Sequence, residues 1–163
     1  MAEPHAMLNA LGAEDARAAL DRCCGSARWV TGMLARRPWA STAALHADAD
    51  QVWGALGRDD FLEAFAHHPR IGGRGPDGDA WARQEQARVG DAAPSIQAAL
   101  GAANDRYFER FGYIFIVCAT GKTGEEMLGL LQARLPNAPA RELDIAAAEQ
   151  ARITHLRLDK LAT

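Results

Sequence analysis

The 163-residue chain is long enough to bury a sizeable core without metals or crosslinks. Its residues are 48% hydrophobic and its net charge is -3, a balance that argues against disorder and against a nucleic-acid-binding surface. No apolar run approaches membrane-spanning length, so no membrane partner is expected.

Of the three cysteines, Cys23 and Cys24 are adjacent and Cys118 is distant. That spacing suits small buried hydrophobes in a reducing compartment rather than a disulfide framework. With no basic-then-apolar leader and no C-terminal Ser-Lys-Leu, a cytoplasmic location is the expectation.

In chain order, residues 1–12 are expected to form a loose arm. Ala13 to Cys24 carries acids early and Arg22 late, matching a helix dipole, with Gly25 as the stop. Ser26 can cap a second helix bearing Trp29, Val30, Met33 and Leu34, ended by Pro38. Ser41 opens a third, through Leu45, Val52 and Leu56 to Gly57. Asp59 or Asp60 can cap a short helix running into His68. Residues 70–78 (RIGGRGPDG) read as a loop too long for a tight turn. Asp79 to Val89 returns to helical spacing, and Pro94 to Phe111 predicts a longer helix carrying Ile96, Leu100, Tyr107, Phe108 and Phe111 on its apolar face. Tyr113 to Cys118 has strand-like composition but no partner strand, and reads as a buried extended segment or an irregular helix. Thr123 and Glu126 match a capping box for a helix to Leu135, and a last long helix covers about Ala140 to Leu161. The fold class expected is all-α, a single domain and compact bundle of about seven to eight helices.

Polar groups interrupt three apolar stripes. Phe61, Phe65 and His68 fall at i, i+4 and i+7, one face of a helix that Pro69 must end. The imidazole is thus presented at a fixed helix end before a Gly-rich turn. Trp81, Glu85 and Val89 place a carboxylate on an apolar face, and Ile153, Arg157 and Leu161 place a guanidinium on another. Such groups cost free energy unless paired, and together they can line a pocket with pKa values suited to proton transfer. The competing reading is a structural Glu85–Arg157 ion pair with His68 bonded to a core carbonyl.

Other candidates are weaker. Gly121-Lys122-Thr123 resembles the end of a phosphate loop, but Ile116 occupies the first glycine's place. His67 and His68 point about 100° apart on a helix and cannot share a metal, and no CxxC or HxxxH pattern occurs, so no metal site is expected. Arg36 and Arg37 suit a solvated face, whereas Arg70 and Arg74 can flank a pocket mouth.

Taken together, His68-Pro69-Arg70-Ile71-Gly72, Glu85-Gln86 on a helix beginning near Trp81, Phe111-Gly112-Tyr113 leading to Phe115-Ile116-Val117-Cys118-Ala119, and Ile153 to Leu158 (ITHLRL) occur in one order. In this combination the chain resembles 2-oxo-4-hydroxy-4-carboxy-5-ureidoimidazoline (OHCU) decarboxylase, over about residues 8 to 161. The resemblance implies an all-helical, cofactor-free enzyme of uric acid degradation, usually a homodimer, converting OHCU to (S)-allantoin. It makes His68 the proton donor. It places substrate contacts on Pro69, on Ala82, Arg83, Gln84, Glu85 and Gln86, on the main chain of Phe115, Ile116, Val117, Cys118 and Ala119, and on Arg157. Glu85 is then the second catalytic residue, orienting the ureido and ring N–H groups and holding His68 in its active form. One position departs from the family pattern: Ala82 stands where serine is usual, three residues before Glu85.

Two rival functions share these residues. A hydrolase of a related ureido compound would use His68 and Glu85 to activate water. A non-enzymatic helical binding or assembly module would use the inward polar groups as specificity devices in an interface.

Overall fold

Apolar residues at three- and four-residue intervals become ten α-helices among the described residues, with no strand among them. The computed structural model describes residues 2–72 and 80–163. All-α is therefore the fold class. The chain forms two compact units, Met1–Ala64 with Gln150–Thr163, and Phe65–Glu149.

The first unit holds α1 (Pro4–Ala10), α2 (Ala13–Cys23), α3 (Ala27–Leu34), α4 (Thr42–Gly54), most of α5 (Arg58–Ala66) and the end of α10 (Pro139–Lys160). The expected loose arm is instead α1, with Leu8 wholly buried. A helix this short does not persist alone. Tertiary bonds hold it: Arg37 Nη1 donates to the carbonyls of Leu8 and Leu11 at 2.7 and 2.8 Å, and Asn9 exchanges two bonds with the Trp39 main chain. Arg37 is thus spent on a helix end and not on a solvated face.

The expected caps form. Ser26 accepts the Trp29 N–H at 3.2 Å to start α3, and Ser41 accepts that of Ala44 at 3.0 Å to start α4. At α5 the roles shift, because Asp60 lies inside the first turn and reaches back to the Gly57 N–H at 3.2 Å. Trp29, wholly buried, satisfies its indole N–H on the Ala49 carbonyl at 3.1 Å. Between α4 and α10, His46 meets Asp159 and Asp50 meets His155, each at 2.8 Å, so the two helices run antiparallel along that seam.

The second unit holds the end of α5, then α6 (Ala80–Glu85), α7 (Ala87–Gly90), α8 (Pro94–Phe111), α9 (Gly124–Arg134) and the first part of α10. Its core includes Phe65, Leu100, Tyr107, Phe115, Ile116, Met127 and Leu131. Pro94 starts α8 and left-handed Gly112 ends it, the bounds that its sequence predicts. Phe108 departs from expectation, being 44% exposed with the Arg70 guanidinium 5.7 Å from its ring centre. One residue beyond Tyr107, it is turned about 100° from the buried stripe. Thr123 and Glu126 form the predicted capping box at α9. Gly124 is required there, since a Cβ would lie 2.6 Å from that of Ala92. No described helix is long and apolar enough to cross a membrane.

Candidate active site

His68 lies just past α5, which stops at Ala66. The helix expected to run into His68 ends early because Pro69 disfavours helical geometry at the preceding residue. The last turn tightens instead, with the His68 N–H donating to the Phe65 carbonyl at 3.1 Å. Phe65 is wholly buried, against Tyr113 at 5.3 Å between ring centres. His68 is half-buried while His67 is exposed. Pro69 is half-buried and Arg70 exposed, the latter paired with Asp105 on α8.

The segment expected as one helix over 79–89 is two. Gln86, at φ -101° and ψ 14°, separates α6 from α7, so the Trp81–Glu85–Val89 stripe is not continuous. The break has a partner: Gln86 Oε1 accepts the Gly72 N–H at 3.0 Å. The turn after His68 is therefore tied to the end of the helix that carries Glu85. Ala82 is buried at 4% exposure, Glu85 and Gln86 are half-buried, and Arg83 and Gln84 face solvent. Residues 73–79, with Arg74 and most of the expected loop, lie outside the described residues.

From Phe115 to Ala119 the chain is buried without forming a ladder or a helix. Three of its carbonyls are taken: Arg134 Nη1 donates to that of Ile116 at 2.7 Å, Lys122 Nζ to that of Cys118 at 2.6 Å, and the Lys122 N–H to that of Ala119 at 3.0 Å. Of its N–H groups, Cys118 donates to Glu149 Oε1 at 3.3 Å. The segment thus keeps its main chain buried with no ladder to take its N–H groups. Buried N–H groups need acceptors, which makes such a segment suited to ring carbonyls.

Arg157 belongs to the first unit, where it is 7% exposed on α10 and donates through Nη1 to the Arg22 carbonyl at 3.2 Å, at the C-terminal end of α2. A cation there meets the negative end of the helix. Its neighbours are Cys23 and Cys24, both buried and free of disulfide. Burial pushes the Cys24 thiol up to about 12, and pushes Cys23 up against the opposing charge of Arg157.

A family model described as OHCU decarboxylase matches residues 9–159. The chain belongs to the OHCU decarboxylase family. It is 38% identical over 145 residues to the uric acid degradation bifunctional protein TTL of Arabidopsis thaliana, covering 85% of this chain and 45% of that protein. The chain is 33% identical over 135 residues to the OHCU decarboxylase of Amia calva, covering 77% and 74% respectively. The chain spans less than half the length of the bifunctional relatives, and only 26% of the uric acid degradation bifunctional protein PucL of Bacillus subtilis. Among solved structures, an OHCU decarboxylase crystallised in the presence of (S)-allantoin has a TM-score of 0.77 and 36% identity, covering 86% of this chain and 94% of that one.

The residues that hold 115–119 lie outside the three interrupted stripes named from the sequence. Arg134 follows Met127 and Leu131 at helical spacing, the same signal that singles out His68 and Arg157, and it is buried. Glu142, its partner, is wholly buried on α10. Lys122 has no such signal, since its role depends on the turn at left-handed Gly121, which Arg88 fixes by donating to the Gly121 carbonyl. Lys122 and the Thr123–Glu126 box, the parts that resemble a phosphate loop, bond to the Cys118 carbonyl and to each other across the start of α9. Among the described residues no group of three or more His, Cys, Asp or Glu side chains is arranged to hold a metal ion.

Proposed function

We propose that this chain decarboxylates OHCU to (S)-allantoin in uric acid degradation, as a carboxy-lyase that uses no cofactor. The observation carrying the reading is His68. In a chain of this family, a half-buried imidazole sits between a helix end and Pro69, and the following turn is tied through Gly72 and Gln86 to the helix of Glu85.

The substrate has a carboxylate on a ring carbon beside a C=N group. When carbon dioxide leaves, the C–C bonding pair moves into the ring and the C=N accepts it. The hydroxyl-bearing carbon then becomes a carbonyl, its proton passing to the ring nitrogen that took the pair, as the neighbouring carbon, which carries the ureido group, takes a proton on one face. The substrate provides its own electron sink, so the protein must hold the anion, stabilise developing charge and deliver that proton. His68 donates the proton. Glu85 orients the ureido and ring N–H groups and keeps His68 in its active form, with Gln86 completing that side. Main-chain N–H groups between Phe115 and Ala119 bind ring carbonyls, Pro69 and Ala82 bound the substrate by shape, and Arg83 and Gln84 border it. Arg157 contributes a planar fork of donors to the substrate.

Freshly prepared OHCU, followed by the circular dichroism of (S)-allantoin, tests the reading. A stereospecific signal with carbon dioxide release supports it. Ammonia or urea release marks the hydrolase, and no turnover marks a binding module. Dialysis against a chelator should leave the rate unchanged. A homodimer in the cytoplasm belongs to the same reading, and light scattering with cell fractionation tests that part.

A further inference from the structure

Arg134 occupies a place that stability alone does not explain. Its guanidinium is buried at 8% exposure and its partner Glu142 at 0%. Nε and Nη2 donate to Glu142 Oε2 at 2.9 and 2.6 Å, while Nη1 donates to the Ile116 carbonyl at 2.7 Å. The guanidinium lies 4.4 Å from the centre of the Phe115 ring. Glu142 is saturated in turn, since Tyr107 donates its hydroxyl to Oε2 and Asn137 its amide to Oε1 at 3.1 Å. Burial, with the bond to Glu142, pushes the Tyr107 phenol well above its ordinary range, so it stays a donor. A buried ion pair adds little stability over apolar groups of the same volume, because desolvation offsets the attraction. Such a pair does supply direction, and here both of its outward contacts fall on Phe115 and Ile116.

We infer that Arg134 is a positioning residue, set by Glu142, that aims the 115–119 main chain at the substrate. The inference rests on the decarboxylase reading for what the segment binds. Its geometry is independent: one planar fork fixes a carbonyl and a ring on consecutive residues of a segment that has no ladder to hold it. A trans peptide sets its N–H opposite its carbonyl, so holding the Ile116 carbonyl on Arg134 fixes the Val117 N–H on the far side. Rotation of that peptide would re-aim the same donor.

Two variants test this. Arg134→Lys keeps a charge for Glu142 but loses the fork, so it cannot serve Glu142, Ile116 and Phe115 together. A triple variant, Tyr107→Phe with Arg134→Met and Glu142→Leu, replaces the polar network with apolar groups of similar size. Both are measured for melting temperature, for amide hydrogen exchange resolved to 115–119, and for KM and kcat on OHCU. The expected result is near-native melting in at least one variant, at least tenfold faster exchange within 115–119 with α8 and α9 unchanged, and KM raised tenfold or more with kcat changed less. A folded variant with native exchange across 115–119 and native KM overturns the inference. If the wild-type chain does not act on OHCU, the decarboxylase reading fails separately and the exchange measurement alone decides the role of Arg134.

Discussion

Gly72 donates its N–H to Gln86 Oε1 at 3.0 Å, tying the turn after His68 to the junction of α6 and α7. Gly72 sits at φ 74°, where an added Cβ would touch Val89 and Leu100 only at ordinary contact distances of 3.7 and 3.9 Å. Gly72→Ala should therefore destabilise through backbone strain rather than a clash, by about 1–2 kcal/mol. Gln86→Leu removes the acceptor of an exposed bond and should cost about 0.5–1.5 kcal/mol, since water can take the freed N–H. Melting temperatures and OHCU turnover check both. An unchanged rate in a folded Gln86→Leu variant would show that the tie does not position the site.

Ala82, buried on α6, occupies the position where the family resemblance leads one to expect serine. Ala82→Ser adds one hydroxyl and little volume, worth about 0.5–1.5 kcal/mol if it finds a polar partner on the substrate. Activity on OHCU should rise or stay equal. A severe loss would mean that the pocket is shaped around alanine, and the substrate assignment would have to be reopened.

Elements with local signals were legible in the sequence, and those fixed by distant partners were not. Ser26, Ser41, the Thr123–Glu126 box and the Pro94–Gly112 frame mark helix ends in the chain itself. The helix α1 depends on Arg37 and Trp39, about thirty residues on, and nothing local announces it. The break at Gln86 has neither glycine nor proline; its cause is a bond to Gly72. For the candidate site, His68 was visible because Pro69 fixes its place, and Arg157 because a charge interrupts a stripe. Arg134 carried that same stripe signal, but its meaning depends on Glu142 and on Ile116, which only folding brings to it.

Arg157→Ala should weaken OHCU binding by about 2–5 kcal/mol if the guanidinium meets the substrate away from water. The same substitution removes a donor from the Arg22 carbonyl, so some loss of melting temperature accompanies it. Affinity measured on the folded variant separates the two effects. Native affinity with only a lower melting temperature would make Arg157 a structural residue.

The buried thiols give a pH dependence with a definite sign. Cys24 is held up to about 12 by burial, whereas an unfolded thiol titrates near 8.5. A raised folded value means that the folded state keeps its proton longer, so this stabilisation is fully present below about pH 8.5 and is lost toward pH 12. The slope is at most about 1.4 kcal/mol per pH unit for each thiol. Thermal melts should fall between pH 8.5 and 10, and fall less in Cys23→Ala with Cys24→Ala. Above that range the phenol of Tyr107, also pushed up, adds to the same trend. Parallel curves for the two proteins would remove the thiols as the cause.

The two adjacent imidazoles offer the sharpest test of the site. His68 is half-buried beyond α5 and its N–H is bonded to the Phe65 carbonyl, while His67 is exposed. Removing a positioned general acid costs about 10²–10⁴ in rate. His68→Asn should lose activity by that factor while keeping helix content and melting temperature near those of the parent, because its backbone anchor and Pro69 are untouched. His67→Asn alters a solvent-facing ring and should be mild. Steady-state rates on OHCU, with circular dichroism melts of both variants, make the comparison. A His68 variant that fails to fold would assign the imidazole to the core. An inactive His67 variant beside an active His68 variant would place the proton donor on the other ring and reverse the orientation proposed for this helix end.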